Sequence, residues 1–220
     1  ELYYPLPSEL SSAGKMLYNR NRFSVIRQLR YFANDQHLAL DVAIFINGMP
    51  IITMELKNQI TCQDTTHAIA QYKSDRDAKD LLFMPKRCAV HFAADDETVA
   101  MCTKLCGRDS WFLPFNKGVD DGAGNPVNPN GLKTAYLWEE ILRKERLSDI
   151  LEHYAQVIVE KDEETGKKKE KIIWPRWHQL EVVRSLLNET ATHGIGQKFL
   201  IQHSAGSGKS NSITWLAYQL

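Results

Sequence analysis

The amino-acid sequence predicts an α/β protein in two parts, and three observations support this prediction. The dipeptide Asn47-Gly48 lies between two runs rich in Val, Ile and Phe, which is the strongest short-range signal for a β-hairpin. Residues 135–156 have helical periodicity, and the polar residues 63–80 also predict a helix. From residue 198 onwards the pattern is strand, small-residue loop and helix, which indicates the beginning of a second α/β unit.

Composition and charge narrow the class of protein. Lys and Arg together number 27, as do Asp and Glu, so any nucleic-acid surface must be a local patch. No apolar run approaches the ~20 residues needed to span a bilayer, and the N-terminus lacks the features of a signal peptide. The four cysteines form neither a C-x-x-C pair nor a zinc pattern. We therefore expect reduced thiols in a cytoplasmic protein without a membrane partner.

Periodicity and composition assign the remaining elements. Residues 15–32 have the spacing of a helix with one basic face, although a strand could begin near Phe23. The other elements are a strand over 87–94, a loop over 115–133, a charged solvated turn over 161–171, helices over 178–190 and 209–220, and a strand over 198–203. The loop and the turn bracket a domain boundary near 160. Because the sequence lacks an initial Met and stops inside a helix, we expect it to be part of a longer protein.

The second part contains a candidate phosphate-binding loop, H-S-A-G-S-G-K-S, over 203–210. A polyphosphate needs many donors at close range, and glycines allow successive backbone N–H groups to point inward at a helix N-terminus. The lysine is expected to reach the β- and γ-phosphates, and the serine after it to ligate Mg²⁺. The expected nucleotide-binding residues are Gly206, Ser207, Gly208, Lys209 and Ser210.

Two further features bear on this loop. His203 occupies the first position, where the common pattern has Gly or Ala. A Gly/Ser-rich loop that merely caps a helix would explain the glycines, but not the strand and helix predicted on either side. Upstream, Gln179 opens a predicted helix and resembles the Q-motif of superfamily 2 helicases, in which the amide contacts the adenine edge through one donor and one acceptor.

The hairpin carries the second candidate site, which consists of Asp41, Glu55 and Lys57. Glu55 and Lys57 are two residues apart on a strand and so share a face. A two-residue turn would place Asp41 opposite Met54, whereas a three-residue connection or a bulge would place it opposite Glu55. We predict that Asp41 lies opposite Glu55, by either of these two routes. Two carboxylates would then hold Mg²⁺, with Lys57 positioning water or stabilising the developing anion at a scissile phosphate.

This triplet alone is equally compatible with a hairpin whose wet face carries an Asp and a Glu–Lys pair. Polar-out alternation is normal for antiparallel strands, and both faces of this hairpin carry apolar residues. Gln71 and Tyr72 on the next predicted helix either support the site or lie there incidentally.

Taken together, the motifs resemble the restriction (R) subunit of type I restriction–modification enzymes. Asp41 followed by Glu55-Leu56-Lys57 is similar to the PD-(D/E)xK nuclease signature, although Leu40 replaces its Pro. Family members often carry Gln-x-x-x-Tyr after the lysine, and here Ala68 precedes Tyr72 by four. The other shared features are Asn21-x-Phe23, Gln28, the string NGMPIITMELKNQ, Arg176-x-His178-Gln179 and HSAGSGKSNS, so that the resemblance covers residues 20–220.

The resemblance implies a restriction-endonuclease-like mixed sheet flanked by helices, followed by the beginning of a RecA-like domain. It implies a nuclease domain with a linking helix over 1–160, in which Asp41 and Glu55 are metal ligands and Lys57 is the catalytic lysine. Over 161–220 it implies the start of a helicase domain, with Gln179 contacting adenine. It also implies Mg²⁺ and ATP as cofactors, cleavage of duplex DNA coupled to translocation, and methyltransferase and specificity subunits as partners.

Two other hypotheses stay open at this point. One is a helicase-like ATPase whose N-terminal part is a non-catalytic DNA-binding or subunit-docking domain, which would leave the three hairpin residues pointing apart. The other is a structural block with an exposed aromatic patch and no acidic cluster. On the leading hypothesis these 220 residues bind ATP poorly and do not hydrolyse it, because the acidic Mg²⁺ motif and an arginine finger lie later in a motor domain.

Overall fold

The structure is a computed structural model that describes residues 2–4, 12–31, 38–119, 123–161, 166 and 168–220. Its strands are β1 Phe23–Arg30, β2 Ala39–Ile46, β3 Met49–Leu56, β4 Val90–Ala94, β5 Val99–Cys102, β6 Leu113–Pro114, β7 Gln156–Lys161 and β8 Lys168–Ile173. Its α-helices are α1 Ser12–Asn19, α2 Thr65–Ser74, α3 Lys144–His153, α4 Trp177–His193 and α5 Lys209–Gln219, with a 3₁₀ turn at Gln59–Thr61 and a π-helix at Leu137–Ile141.

Six strands form one mixed sheet in the order β1-β2-β3-β4-β5-β6. Neighbouring strands are antiparallel, with the exception of β3 and β4, which pair in parallel. A parallel pair needs a crossover connection, and the segment between β3 and β4 supplies it with α2. The predicted α/β class and the mixed sheet flanked by helices are therefore confirmed.

The hairpin of β2 and β3 combines a tight turn with a bulge. Asn47 and Gly48 both have positive φ, 52° and 80°, as the two central residues of a type I′ turn require. The register then shifts between Ile44 and Phe45, so that the strands are one residue out of step beyond the turn. A bulge of this kind increases the local twist and re-aims the side chains that follow it.

This bulge decides the position of the first candidate site. Beyond it Val42 pairs with Met54, and the next position along the strands places Asp41 across from Glu55. A hairpin without the bulge would have put Asp41 opposite Met54, on the other face of β3. The predicted register is confirmed, and of the two routes to it the structure uses the bulge.

Apolar side chains cover both faces of the sheet. On one face, a cluster that includes Ile52, Phe92 and Met101 packs against the π-helix, α3 and α4. On the other face, a cluster that includes Ala43 and Phe83 packs against α2. The sheet is thus the middle of three layers, which buries it on both sides. The first cluster extends into the C-terminal part through side chains of α4 and α5.

Two predicted helices are shorter than expected. The region 15–32 contains α1, which ends at Asn19, and then β1 from Phe23. Its basic residues Arg27 and Arg30 are exposed on an edge strand, because pairing with β2 overrides their helical spacing. The region 135–156 divides into the π-helix and α3 and ends in β7.

The charged segment 161–171 was expected to be a turn, and this prediction is wrong for its second half. Residues 168–171 belong to β8, which pairs with β7 from Gln156 opposite Ile173 to Lys161 opposite Lys168. Opposite charges face each other at Glu160 and Lys169, and such cross-strand pairs stabilise a ladder. Thr165, which together with Gly166 was expected to form the tip of this turn, lies outside the described residues, whereas Gly166 has a φ of 66°.

The strand predicted at 198–203 is absent from the structure, because its residues pair with none of the strands in the described ranges. Leu200 is 95% exposed and Phe199 is 48% exposed. An isolated strand has no partner for its backbone groups, so apolar composition alone does not form one. The predicted helix after the loop is confirmed as α5.

Two smaller predictions concern the cysteines and the membrane. All four cysteines are free thiols, and Cys88 and Cys102 are buried. Across the part of the chain that the structure describes, none of the helices has both the length and the apolar character needed to cross a membrane.

Candidate active site

The three hairpin residues come together on the sheet face that α2 covers. Asp41 lies near the beginning of β2, Glu55 near the end of β3, and Lys57 directly after β3. The backbone N–H of Lys57 donates to the carbonyl of Ala94 at 2.9 Å, which continues the β3–β4 pairing. Alternation along an extended segment therefore keeps the Lys57 side chain on the same face as that of Glu55.

Asp41 is held by one hydrogen bond on each carboxylate oxygen. Its Oδ2 accepts from the backbone N–H of Leu56 at 2.8 Å, and its Oδ1 accepts from Nε2 of Gln28 at 2.9 Å. Gln28 interrupts the β1–β2 pairing with a φ of 52°, in the left-handed region that residues other than glycine seldom adopt. Two strands thus converge on one carboxylate and fix its orientation.

Glu55 is buried, with none of its surface exposed, and only one of its oxygens has a partner. Arg76 donates from Nε to Oε1 at 2.7 Å, and Nη2 of Arg76 also lies 2.7 Å from this oxygen. Oε2 is buried and without a hydrogen-bond partner. Burial raises the pKa of Glu55 to about 7, Arg76 counteracts this, and the nearby Asp41 carboxylate raises it further.

Lys57 contacts Gln71, one of the two α2 residues whose role the sequence left open. Its Nζ donates to Oε1 of Gln71, in α2, at 2.7 Å. The neighbouring Tyr72 is fully buried instead, and its hydroxyl shares a hydrogen bond with Oγ1 of Thr53 at 2.9 Å. Gln71 therefore touches the candidate site, although the spacing to Tyr72 departs from the family pattern.

A second polar layer lies beneath the site. Oγ1 of Thr53 is 2.6 Å from Nδ1 of His91, and both residues are buried between the sheet and α2. Burial lowers the pKa of His91 to about 3, so the imidazole is neutral at ordinary pH. Because Thr53 and Glu55 are two apart on β3, this layer supports the strand that carries the candidate metal ligand.

Sequence analysis missed Arg76. It follows α2, is only 3% exposed, and also donates to the hydroxyl of Tyr31 at 3.1 Å and to the carbonyl of Ala39 at 2.8 Å. Nothing in the spacing along the chain signals these contacts, since Glu55 is 21 positions away and Tyr31 is 45. A burial prediction for Arg76 would have signalled a buried carboxylate as its partner, since such a charge is seldom buried unpaired.

The donor set fits a hard divalent cation that keeps much of its water. Asp41 and Glu55 offer carboxylate oxygens, and the buried Oε2 of Glu55 is an acceptor without a partner. Among the described residues no group of three or more His, Cys, Asp or Glu side chains is placed to hold a metal. Mg²⁺ is commonly bound by only one or two carboxylates together with water, so two suffice for this ion.

In the candidate phosphate-binding loop both glycines have positive φ. Gly206 and Gly208 have φ of 72° and 82°, and Gly208 caps the N-terminus of α5 without a side-chain cap bond. Nζ of Lys209 donates to the carbonyls of His203 at 3.1 Å and Ser204 at 2.8 Å, across the loop. Ser207 is buried with an unpartnered hydroxyl, and Ser210 is exposed in the first turn of α5.

Three side chains at the start of α4 bind three successive carbonyls of this loop. Arg176 donates to Gly206, His178 contacts Ser207 and Gln179 donates to Gly208, each at 2.9 Å. Gln179 is 3% exposed, and its Oε1 also accepts from the backbone N–H of Arg176. Both ends of the Gln179 amide are therefore bound to protein, and adenine recognition by this residue stays a prediction.

The fold and the hairpin site together are consistent with a nuclease-like class, in which a mixed sheet flanked by helices presents clustered carboxylates. Residues 15–110 match the family described as the N terminus of the type I restriction enzyme R protein. The match covers the whole hairpin site and α2, and it ends before the phosphate loop.

Two curated relatives extend the similarity along the chain. The chain is 28% identical over 207 residues to the putative type I restriction enzyme MjaVIIIP endonuclease subunit of Methanocaldococcus jannaschii, covering 90% of the chain and 18% of that relative. It is 27% identical over 209 residues to the type I restriction enzyme HindI endonuclease subunit of Haemophilus influenzae, covering 92% and 19%. The chain thus spans about a fifth of their length, and the predicted resemblance to the N-terminal part of an R subunit is confirmed.

Proposed function

We propose that this chain forms the nuclease part of a type I restriction endonuclease subunit, which hydrolyses phosphodiester bonds of duplex DNA with Mg²⁺. The observation that carries the proposal is the position of Asp41 across the β2–β3 ladder from Glu55, whose Oε2 is buried and without a hydrogen-bond partner, on the sheet face that also carries Lys57. A buried carboxylate oxygen without a partner is costly for stability, and a bound cation would remove that cost.

In the proposed mechanism Asp41 and Glu55 would hold the cation, and its chemistry when bound would be to neutralise charge on the scissile phosphate and to lower the pKa of a water ligand. The backbone N–H of Leu56 and the amide of Gln28 keep Asp41 in place. Lys57, oriented by its hydrogen bond to Gln71, would position the attacking water or stabilise the negative charge that develops on the phosphate oxygens.

We further propose that the phosphate loop binds ATP as the start of a translocating motor. Gly206 and Gly208 leave the backbone close to a ligand, and the Lys209 ammonium would exchange its two carbonyl partners for phosphate oxygens. The resemblance supplies the remaining parts of the proposed function. The chain would belong to a translocating motor that acts on duplex DNA in the cytoplasm, together with methyltransferase and specificity subunits. These 220 residues alone should not hydrolyse ATP.

The proposed function is tested with Lys57→Ala in the full restriction complex. Plasmid nicking should fall by at least about 100-fold, the usual scale for removing a catalytic donor, while ATP hydrolysis is unchanged. Lys79→Ala, an exposed lysine just beyond α2, is the matched control and should cleave normally. Cleavage that survives in Lys57→Ala with unchanged ATP hydrolysis would remove the nuclease assignment.

The alternative is a helicase-like ATPase whose N-terminal part only binds DNA or docks subunits. That hypothesis required the hairpin side chains to point apart, whereas the register places Asp41 across from Glu55. The contact of Lys57 with α2 on the same face also argues against it.

A further inference from the structure

Arg76 contacts Glu55 in an asymmetric way. A guanidinium often grips a carboxylate with two parallel bonds, one to each oxygen. Here Nε and Nη2 both lie 2.7 Å from Oε1, and Oε2 receives neither. The contact therefore occupies Oε1 of Glu55 and leaves Oε2 without a hydrogen-bond partner.

The rest of the guanidinium is locked in place. Nη1 donates to the hydroxyl of Tyr31 at 3.1 Å, and Nη2 donates to the carbonyl of Ala39 at 2.8 Å. Cζ of Arg76 also lies 5.7 Å from the centre of the Tyr31 ring. With these partners directly after β1 and at the start of β2, Arg76 cannot rotate to contact both oxygens of Glu55 without losing hydrogen bonds.

This asymmetry matters for the kind of cation that the site accepts. Ca²⁺ takes six to eight oxygen ligands and often binds a carboxylate through both oxygens, whereas Mg²⁺ requires compact octahedral geometry and keeps several waters. A cation beside Asp41 meets only Oε2 of Glu55, because Oε1 is already occupied by two nitrogens of Arg76. One-oxygen coordination suits Mg²⁺ and Mn²⁺ better than Ca²⁺.

We propose that Arg76 is a positioning residue that sets the cation selectivity of the site by restricting Glu55 to coordination through Oε2. The inference rests on the proposed function, since it needs a cation at Asp41 and Glu55. An arginine that served only as a counter-ion would change the affinity for all divalent cations together. An arginine that restricts how Glu55 coordinates the cation would change the ratio of the affinities for different cations.

The test compares Mg²⁺ and Ca²⁺ affinities of the full chain, each measured by displacement of Mn²⁺ followed by electron paramagnetic resonance. In Arg76→Met the ratio of the Ca²⁺ to the Mg²⁺ dissociation constant should fall by about tenfold, the lower end of the range for loss of a residue that orients a metal ligand. Arg87→Met, the same substitution at an exposed arginine away from the site, is the matched control. Its ratio should match that of the wild type.

A second measurement uses the wild-type protein, because Arg76→Met leaves Glu55 without its buried partner and can unfold. Infrared difference spectra with ¹³C-labelled glutamate report how a glutamate carboxylate binds a cation. The proposal expects one-oxygen coordination with both Mg²⁺ and Ca²⁺. A two-oxygen signal from glutamate in the wild type overturns it.

The outcomes separate this inference from the proposed function. If a folded Arg76→Met protein keeps the wild-type ratio while Asp41→Asn abolishes cation binding, Arg76 has only a structural role and the metal site stands. If the wild-type chain binds no divalent cation, the metal site and the selectivity role of Arg76 are both wrong.

Discussion

Lys57 and Gln71 are joined by a hydrogen bond of 2.7 Å from Nζ to Oε1, which ties the residue after β3 to α2. A lysine carries its charge on a flexible four-carbon stem, so a fixed acceptor reduces the number of positions that the ammonium occupies. Gln71 therefore fixes the position of the proposed catalytic donor.

The first prediction follows from this contact. Gln71→Leu in the full complex should lower DNA cleavage by about tenfold, because misplacement of a catalytic group by about 1 Å is enough for such a loss. ATP hydrolysis should not change. Gln63→Leu, the same substitution at an exposed position before α2, is the control. Equal cleavage by both variants would show that Gln71 does not position Lys57.

The second prediction separates two glycines of the phosphate loop. A Cβ at Gly208 would lie 2.4 Å from Nε2 of Gln179, whereas a Cβ at Gly206 meets no atom within 4 Å. Both have positive φ, so Gly206→Ala should lower the free energy of unfolding by about 1 kcal/mol through backbone strain. Gly208→Ala should cost about 1 kcal/mol more, because it displaces the Gln179 hydrogen bond.

Urea unfolding of these two variants checks this prediction. Gly48→Ala is the control outside the loop, since Gly48 has a φ of 80° in its type I′ turn and open space around its Cβ. It should resemble Gly206→Ala. If Gly208→Ala is no more destabilised than the other two, the packing of Gln179 against the loop is not as the structure describes.

The third prediction concerns acid stability and His91. Its pKa in the folded protein is about 3, below the ordinary 6.5, so the folded state resists protonation. The stability linked to His91 is therefore present above pH 6.5 and is lost as the pH falls from 6.5 towards 3. Between about pH 7.5 and about pH 5 this amounts to a loss of about 2 kcal/mol in the free energy of unfolding.

Comparison with His91→Gln isolates this effect. Glu55, whose pKa is raised from 4.5 to about 7, contributes in the opposite sense because its stabilisation grows as the pH falls through that window. That contribution is common to both proteins and cancels in their difference. A difference in unfolding free energy that does not vary with pH would mean that His91 is not buried as a neutral ring.

The fourth prediction uses the apolar core that continues beyond residue 160. Trp177 in α4 lies 4.9 Å from Tyr136 and 6.4 Å from Phe115, between ring centres. Trp177→Ala should lower the free energy of unfolding by about 3–5 kcal/mol. Trp111→Ala, at a side chain that is 76% exposed, should change it by less than about 0.5 kcal/mol.

The same variants examine the domain boundary predicted near 160. A shared core predicts a single unfolding transition that shifts as a whole in Trp177→Ala, with fluorescence and circular dichroism coinciding. Two separate transitions, of which only one shifts, would indicate two independent domains and contradict a continuous core.

Local signals explain which features were predictable. Asn47-Gly48 identifies its own turn, and alternation along two adjacent strands brings Asp41 and Glu55 to one face once the register is chosen. The location of the bulge between Ile44 and Phe45 was not predictable, because it depends on how the twisted strands meet α2 and β4.

Features that depend on distant partners were missed. Arg76 contacts Glu55 on β3, Tyr31 just after β1 and Ala39 on β2, and none of these contacts leaves a pattern along the chain. Residues 198–203 have the composition of a buried strand, yet strand formation requires a neighbour, and no described strand pairs with them. Local propensity indicated that residues 198–203 favour a strand, whereas tertiary contacts determined that they do not form one.

Binding of Mn²⁺ to the 220-residue chain, followed by electron paramagnetic resonance, tests the central claim most directly. The account predicts that the wild type binds Mn²⁺ at a site that Asp41→Asn and Glu55→Gln each remove. Asp109→Asn, the same change at an exposed loop carboxylate, should bind like the wild type. Unchanged Mn²⁺ binding in folded Asp41→Asn and Glu55→Gln proteins would contradict the assignment of these carboxylates as metal ligands.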